Sequence, residues 1–306
     1  MIAFLFPGQG SQYPGMGKQL VENFPLARQI YEEANDALGF DIAALCFEGS
    51  EDELRLTANT QPAILTTSIA ALRIMEQETG LTPGCAAGHS LGEFSALVAV
   101  GALSFSDAVK TVRQRGTFMQ DAVPVGVGAM AAVMGVEREP LERICQQAAC
   151  GEIVAPANFN SPGQIVIAGH ATAVERAIIL AKEQGAKRAM LLPVSAPFHS
   201  ALMQPAAERL EEVLSSLEVS AFRCPVVGNV EACGYSDPSR VKELLIRQVC
   251  AAVRWDESVL AMDGSGVTRY VEIGPGKVLC GLVKRIVKGS DTSQVDSVDT
   301  LATLAL

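Results

Sequence analysis

Residues 88–92, GHSLG, carry the clearest chemical signal in the chain, because they fit the G-x-S-x-G turn that exposes a serine hydroxyl between a strand and a helix. A short apolar run at 85–87 precedes the turn, and a nearly all-apolar helical run follows it to Leu103, as the motif requires. The backbone N–H of Leu91 would lie at the N-terminus of that helix, where it can donate to an oxyanion. We therefore predict Ser90 as a nucleophile; a tight structural turn is the alternative.

A serine nucleophile needs a base, and the chain offers three histidines. His89 adjoins Ser90, so its side chain should point away across the turn. His170 lies between a predicted strand and a predicted helix, where a capping or surface role is typical. His199 lies in the loop SAPFHS, and loops on a rigid scaffold commonly carry bases. We predict His199 as the base.

No carboxylate is evident as the third member of a triad. An α/β-hydrolase places an acidic residue between the serine and the histidine in chain order. The candidates in that interval do not lie in loops that point to the site: Asp107, Asp121 and Glu152. A backbone carbonyl or an amide could orient the histidine instead.

Arg115 lies within a predicted helix over 106–122, on its apolar face. The positions that share this face are spaced 4, 3 and 4 residues apart: Ala108, Val112, Arg115 and Met119. A guanidinium in apolar surroundings needs a partner. A protein carboxylate and a substrate carboxylate held by both ends of the fork are both open from the residues alone. Gly116 would let another element approach the arginine.

The segment FPGQGSQ at 6–12 follows a predicted first strand at 2–6. Its two glycines and its proline predict a tight loop at the carboxyl end of a strand, where α/β sheets bind ligands. The segment is not G-x-G-x-x-G, so we do not predict a dinucleotide site. Its backbone N–H groups could supply a second oxyanion donor; an ordinary turn is the alternative.

Strands alternate with helices in the first and last parts of the chain, which predicts a parallel sheet covered on both faces. Between them the order is β-α-β-β-α-β, the ferredoxin-like signature. We therefore predict an α/β fold with a hydrolase-like three-layer domain, residues 1–123 and 197–306, and an inserted ferredoxin-like small domain, residues 124–196. The polar segment from Gly289 is predicted to be loose.

Composition excludes several classes of protein. The 306 residues carry 24 lysines and arginines against 34 acidic residues, and this net charge of −10 argues against nucleic acid as the main partner. No apolar run reaches the roughly 18 residues of a membrane helix, and the N-terminus lacks a basic n-region. The eight cysteines form no C-x-x-C pair and no metal spacing, which is typical of a reducing compartment. We predict a cytoplasmic protein without a metal site or a membrane segment.

Eight short motifs occur together in one order: FPGQGSQ (6–12), TQPAI (60–64), GHSLGE (88–93), QRG (114–116), NFNSPGQIVIAG (158–169), PFHS (197–200), the 248–255 segment and EIGPGKVL (272–279). Together they resemble the malonyl-CoA:acyl-carrier-protein transacylases of type II fatty acid synthesis. The resemblance covers essentially residues 1–290, and the fold that it implies matches the two-domain prediction.

The resemblance implies a Ser–His dyad without a carboxylate. Ser90 would carry a malonyl ester and His199 would be the base, oriented by a main-chain carbonyl near Gln248. Backbone N–H groups of Gln9 and Leu91 would form the oxyanion hole.

Three more residues receive substrate-binding roles from the resemblance. Arg115 would bind the free malonyl carboxylate, and Asn160 would line the cleft at the domain junction. Phe198 resembles the residue of malonyl-selecting relatives, where a bulky ring would crowd an α-methyl branch. The implied partners are malonyl-CoA and a holo acyl carrier protein, with no permanently bound cofactor, and we expect a monomer.

Carrier proteins of this system are usually acidic, so docking would require a local basic patch. One candidate patch shares a predicted helical face: Lys277, Lys284 and Lys288, with Arg285 beside them. A second lies in the small domain: Lys182, Lys187 and Arg188. A solvated charged face is the alternative for each.

Two other functions remain open from the sequence, and a third is disfavoured. An acyl-thioester hydrolase would share Ser90 and His199 but would not need Arg115. A polyketide-pathway acyltransferase would share every motif. A non-catalytic carrier-binding scaffold would predict a damaged nucleophile or base, and both are intact.

Overall fold

The computed structural model describes residues 1–194 and 196–304. The strands of these residues are β1 (Ile2–Phe6), β2 (Cys85–Gly88), β3 (Gly128–Met134), β4 (Val154–Ser161), β5 (Gln164–His170), β6 (Arg188–Leu191), β7 (Val226–Val227), β8 (Gly234–Tyr235), β9 (Arg269–Ile273) and β10 (Asp291–Val295). The helices are α1 (Lys18–Asn23), α2 (Pro25–Leu38), α3 (Ile42–Glu48), α4 (Glu51–Arg55), α5 (Thr57–Thr79), α6 (Gly92–Ala99), α7 (Phe105–Asp121), α8 (Arg138–Ala149), α9 (Ala171–Glu183), α10 (Gln204–Ser215), α11 (Pro238–Cys250), α12 (Trp255–Gly264), α13 (Val278–Ile286) and α14 (Val298–Leu304). Within the described residues, no helix is both long enough and apolar enough to cross a membrane.

The larger sheet has six strands in the order β10-β9-β1-β2-β7-β8. Its strands are parallel except for the short edge strand β8, which is antiparallel to β7. The side chains of β1 alternate between two cores, with Phe4 and Phe6 in one and Ala3 and Leu5 in the other. Helices therefore cover both faces of this sheet, and the predicted three-layer arrangement is confirmed.

The smaller sheet has four antiparallel strands in the order β4-β5-β3-β6. With α8 and α9 it forms the predicted β-α-β-β-α-β unit and has its own core. Its other face joins the core of the larger domain through four residues: Met130, Ala157, Val166 and Ala168. All of its strands lie between residues 128 and 191, and the exact boundaries at 124 and 196 stay a prediction.

The prediction that the segment from Gly289 is loose is wrong. β10 pairs in parallel with β9 and forms one edge of the larger sheet, and α14 follows it. Val295, Leu301 and Leu304 are buried in the core. The polar composition of this segment misled the prediction because an edge strand is held by backbone hydrogen bonds and needs few apolar side chains.

Candidate active site

Ser90 lies on a tight turn between the end of β2 and the start of α6. Its φ of 51° is in the left-handed region, which costs energy for a residue with a side chain. A Cβ on Gly88 would lie 1.9 Å from backbone atoms of Gly92, and a Cβ on Gly92 would lie 2.1 Å from the carbonyl oxygen of Phe6. Both positions therefore require glycine, and the turn holds the serine hydroxyl above the sheet.

Ser90 and His199 form a hydrogen-bonded pair. Ser90 Oγ lies 2.7 Å from His199 Nε2, and His199 Nδ1 lies 2.8 Å from the carbonyl oxygen of Gln248. Since a carbonyl only accepts, Nδ1 carries the proton and Nε2 is free to accept the hydroxyl proton of Ser90. Burial and the nearby charge of Arg115 lower the pKa of His199 to about 3, so this imidazole is neutral at pH 7.

Arg115 is 1% exposed and extends from α7 to the serine. Its Nη1 donates to Gln61 Oε1 at 2.8 Å, and its Nη2 donates to Gln248 Oε1 at 2.9 Å and to Ser90 Oγ at 3.2 Å. All three acceptors are neutral oxygens. Burial lowers the pKa of Arg115 to about 10, which leaves it charged at neutral pH. The site thus holds a buried cation whose direct partners carry no compensating charge.

Two residues beside Ser90 have backbone N–H groups without an acceptor among the described residues: Gln9 and Leu91. A Cβ on Gly8 would lie 2.4 Å from the carbonyl oxygen of His89, so only glycine lets the 6–12 loop pack against this turn. The close approach brings Gln9 beside Ser90. Both N–H groups are therefore available to an oxyanion.

A small cavity lies above Ser90, between the two sheets. Arg115 and Gln61 line it with other polar residues, and apolar side chains from both domains form much of the remaining wall: Met119, Met130, Leu192, Val194 and Phe198. Phe198, next to the histidine, is 8% exposed. The cavity therefore suits a short acyl group with a negatively charged end.

Asn160 does not line that cavity. It lines a neighbouring one, between the 6–12 loop and α13, and its Oδ1 lies 2.8 Å from His89 Nε2. His89 in turn packs against Trp255, with 5.6 Å between ring centroids. The hydrogen bond joins β4 of the small sheet to the serine turn.

The predicted docking residues lie on or beside α13 and are all exposed: Lys277, Lys284, Arg285 and Lys288. Arg285 donates to the side chain of Gln164, which lines the same neighbouring cavity as Asn160. These charges therefore flank a cavity that adjoins the serine site.

Sequence reasoning missed three buried polar residues that hold the site. Asn229 Oδ1 accepts from the N–H of Ser90 at 2.6 Å, and Asn229 Nδ2 donates to the carbonyl oxygen of Gly88 at 2.7 Å. Gln61 binds Arg115, and Glu93 binds the Gln248 side chain. Glu93 had a usable signal, since it is the one charge in an otherwise apolar helix and therefore needs a polar partner.

Comparison with known proteins points to one family. Residues 3–303 match the family model described as acyl transferase domain. The malonyl CoA-acyl carrier protein transacylase of Bacillus subtilis (strain 168) is 52% identical over 301 residues, covering 98% of this chain and 95% of that protein. The protein of the same name from Escherichia coli (strain K12) is 47% identical over 301 residues, covering 98% and 97%.

Solved structures agree with this comparison. An acyl carrier protein S-malonyltransferase from Vibrio cholerae has a TM-score of 0.96 and 49% identity, covering 99% of each chain. A malonyl-transacylase solved in complex with its type II polyketide acyl carrier protein has a TM-score of 0.97 and 46% identity, covering 100% of this chain and 98% of that one.

Proposed function

Because the chain belongs to the acyl transferase family, we propose that it transfers a malonyl group from malonyl-CoA to the phosphopantetheine thiol of an acyl carrier protein. The observation that carries the proposal is the buried Arg115, whose Nη2 lies 3.2 Å from Ser90 Oγ and whose direct partners are neutral. A carboxylate on the acyl group would compensate this buried charge. An acetyl group or a plain fatty acyl group carries no negative charge that could pair with Arg115.

The first half-reaction acylates the serine. Ser90 Oγ attacks the thioester carbonyl of malonyl-CoA while His199 Nε2 takes the hydroxyl proton. The negative charge on the carbonyl oxygen is stabilised by the N–H groups of Gln9 and Leu91, and one such donor is worth about 3–4 kcal/mol. The tetrahedral intermediate then collapses, the C–S bond breaks, and His199 returns its proton to the CoA thiolate.

The second half-reaction repeats these steps with the carrier. The phosphopantetheine thiol gives its proton to His199, and its sulfur attacks the ester carbonyl of Ser90. When the C–O bond to the serine breaks, His199 protonates Ser90 Oγ. The products are a malonyl thioester of the carrier and the free enzyme.

The carrier docks, in this proposal, on the basic patch formed by Lys277, Lys284, Arg285 and Lys288. The patch is exposed on a protein of net charge −10, so it provides local attraction for an acidic partner. Its place beside the cavity that adjoins Ser90 gives the phosphopantetheine arm a short path.

The test is the mass of the intact protein after brief incubation with malonyl-CoA, followed by addition of holo carrier protein. We expect a malonyl adduct that is absent in Ser90→Ala, weaker in Arg115→Ala, and passed to the carrier. An adduct that decays at the same rate with and without carrier would indicate a hydrolase. Labelling by acetyl-CoA but not by malonyl-CoA would refute the role of Arg115.

The carrier itself can be identified in the same assay. The relative in complex with a type II polyketide carrier favours a polyketide carrier as a second candidate acceptor. Transfer rates to a fatty acid carrier and to a polyketide carrier, measured side by side, would separate the two pathways.

A further inference from the structure

Glu93 is a buried carboxyl group that the reaction steps above do not use. It lies in the first turn of α6, three residues after Ser90, and is 1% exposed. Burying a carboxyl group is costly unless hydrogen bonds compensate it. Burial raises the pKa of Glu93 to about 7, so this position carries a free-energy cost that a function can explain.

The Glu93 carboxyl group is the acceptor in each of its hydrogen bonds to other elements. Its Oε2 accepts from Gln248 Nε2 at 2.7 Å and from the backbone N–H of Asn229 at 3.1 Å. Its Oε1 accepts from the hydroxyl of Tyr235 at 3.2 Å. The group acts as a fixed acceptor at the centre of three donors.

The contact with Gln248 determines which way that amide points. Gln248 Nε2 donates one proton to Glu93 and the other to the carbonyl oxygen of Ser90 at 3.0 Å. Both N–H bonds are thus used, and only Oε1 is left to face Arg115. The reversed amide would set an NH₂ group against the guanidinium, donor against donor.

We propose that Glu93 is a positioning residue: it fixes the orientation of the Gln248 amide and thereby aims Arg115 at the carboxylate of the acyl group. The inference rests on the proposed function, because it assumes that Arg115 recognises that carboxylate. Without the acceptor at position 93, the amide of Gln248 is free to reverse and to displace the guanidinium. Recognition of malonyl then weakens, whereas acylation by a group without a carboxylate does not depend on this orientation.

The experiment compares kcat/KM for malonyl-CoA with kcat/KM for acetyl-CoA in three variants. Glu93→Met removes the acceptor and should lower the malonyl-to-acetyl ratio by about tenfold. Glu93→Gln keeps an acceptor oxygen toward Gln248, while its NH₂ group can donate to the Tyr235 hydroxyl. It should therefore keep the ratio of the wild type. Tyr235→Phe removes a Glu93 contact on the side away from Gln248, and it should also keep the ratio.

The ratio separates positioning from a merely structural role, because general loosening of the fold lowers both rates together. An equal fall for both substrates in Glu93→Met, or an unchanged ratio, would overturn the inference. If Glu93→Met does not fold, Glu93→Asp, shorter by one methylene, must lower the ratio on its own.

Failure of the proposed function would appear elsewhere in the same data. If the wild type shows no preference for malonyl over acetyl, or if Arg115→Ala keeps that preference, the role of Arg115 is wrong. If both behave as expected and Glu93→Met still keeps the ratio, only the inference about Glu93 is wrong.

Discussion

At the scale of single residues, the site combines a neutral base with a buried cation. Arg115 lies close enough to His199 to lower its pKa, second only to burial in effect. The same charge that would bind the acyl carboxylate therefore keeps the imidazole unprotonated. In the proposed function, substrate recognition and the protonation state of the base are therefore coupled through one side chain.

This coupling predicts a pH dependence. His199 accepts a proton only when neutral, that is, above its pKa of about 3. The rate of Ser90 acylation should therefore not fall through protonation of His199 between pH 8 and about pH 5. In Arg115→Gln the pKa of His199 should rise, which moves the acid limb to higher pH. The rate of single-turnover acylation by acetyl-CoA, measured against pH, tests the wild type and Arg115→Gln. A fall of the wild-type rate with a midpoint near pH 6.5 would contradict the expectation.

Replacing the neutral partner of Arg115 gives a second prediction. Gln248→Glu would set a carboxylate near the Gln248 Oε1 position, 2.9 Å from Arg115 Nη2. The new charge neutralises the guanidinium and repels a malonyl carboxylate, and the variant also loses the donation from Gln248 Nε2 to Glu93. For both reasons kcat/KM for malonyl-CoA should fall at least tenfold, or about 1.4 kcal/mol. Gln184→Glu, at an exposed position directly after α9, is the matched control and should have no effect. A variant that kept malonyl-CoA activity would show that the arginine does not need a neutral partner.

At the scale of elements, the position of Arg115 depends on how closely α7 approaches α5. A Cβ on Gly116 would lie 2.6 Å from the carbonyl oxygen of Thr57 and 2.9 Å from the Cα of Ala58. Both are backbone atoms, which a side-chain rotation cannot relieve. The glycine next to the arginine therefore sets the distance between the two helices, as its place in the sequence predicted.

Gly116→Ala should destabilise the protein by about 1–3 kcal/mol, because the added methyl group overpacks this contact. It should also lower kcat/KM for malonyl-CoA, since the backbone shift moves Arg115. Gly281→Ala, in α13, is the control: its added Cβ meets no heavy atom of the described residues within 4 Å, so stability should rise by about 0.5–1 kcal/mol. Urea denaturation of both variants measures the difference, and equal stabilities would refute the argument.

At the scale of the whole molecule, the candidate active site lies where the two sheets meet. The larger domain contributes Ser90 and Arg115, while the small sheet contributes Met130 and Asn158 to the cavity wall. Backbone hydrogen bonds join β4 to the segment after α11, from Phe159 N–H to the Val253 carbonyl and from Val253 N–H to the Ala157 carbonyl, each 2.9 Å. The same junction carries the proposed docking patch at its rim.

Reversing charge on this patch tests the docking surface. The double variant Lys284→Glu and Arg285→Glu should raise KM for the holo carrier about tenfold while leaving KM for malonyl-CoA unchanged. The effect should shrink at high ionic strength, since the contacts are solvent-exposed. The matched control is reversal of Lys182 and Lys187 in the second candidate patch. Equal effects on both substrates, or a larger effect of the control, would place the carrier elsewhere.

The sequence alone was sufficient for features that depend on local spacing. The G-x-S-x-G turn, the apolar face that carries Arg115 and the β-α-β-β-α-β order all follow from short-range patterns, because steric limits and helical or strand periodicity act over a few residues. Elimination among three histidines predicted His199, and the structure places it 2.7 Å from Ser90 Oγ.

Contacts between distant segments could be decided only by the tertiary structure. Glu93 signals locally that it needs a polar partner, but nothing local indicates that its partners are Gln248 and Asn229, which come from separate parts of the chain. The edge strand β10 was missed for the same reason, since its pairing with β9 depends on backbone groups rather than on side-chain composition. The sequence left open whether a protein carboxylate or a substrate carboxylate partners Arg115, and the structure shows that its direct hydrogen-bond partners are all neutral.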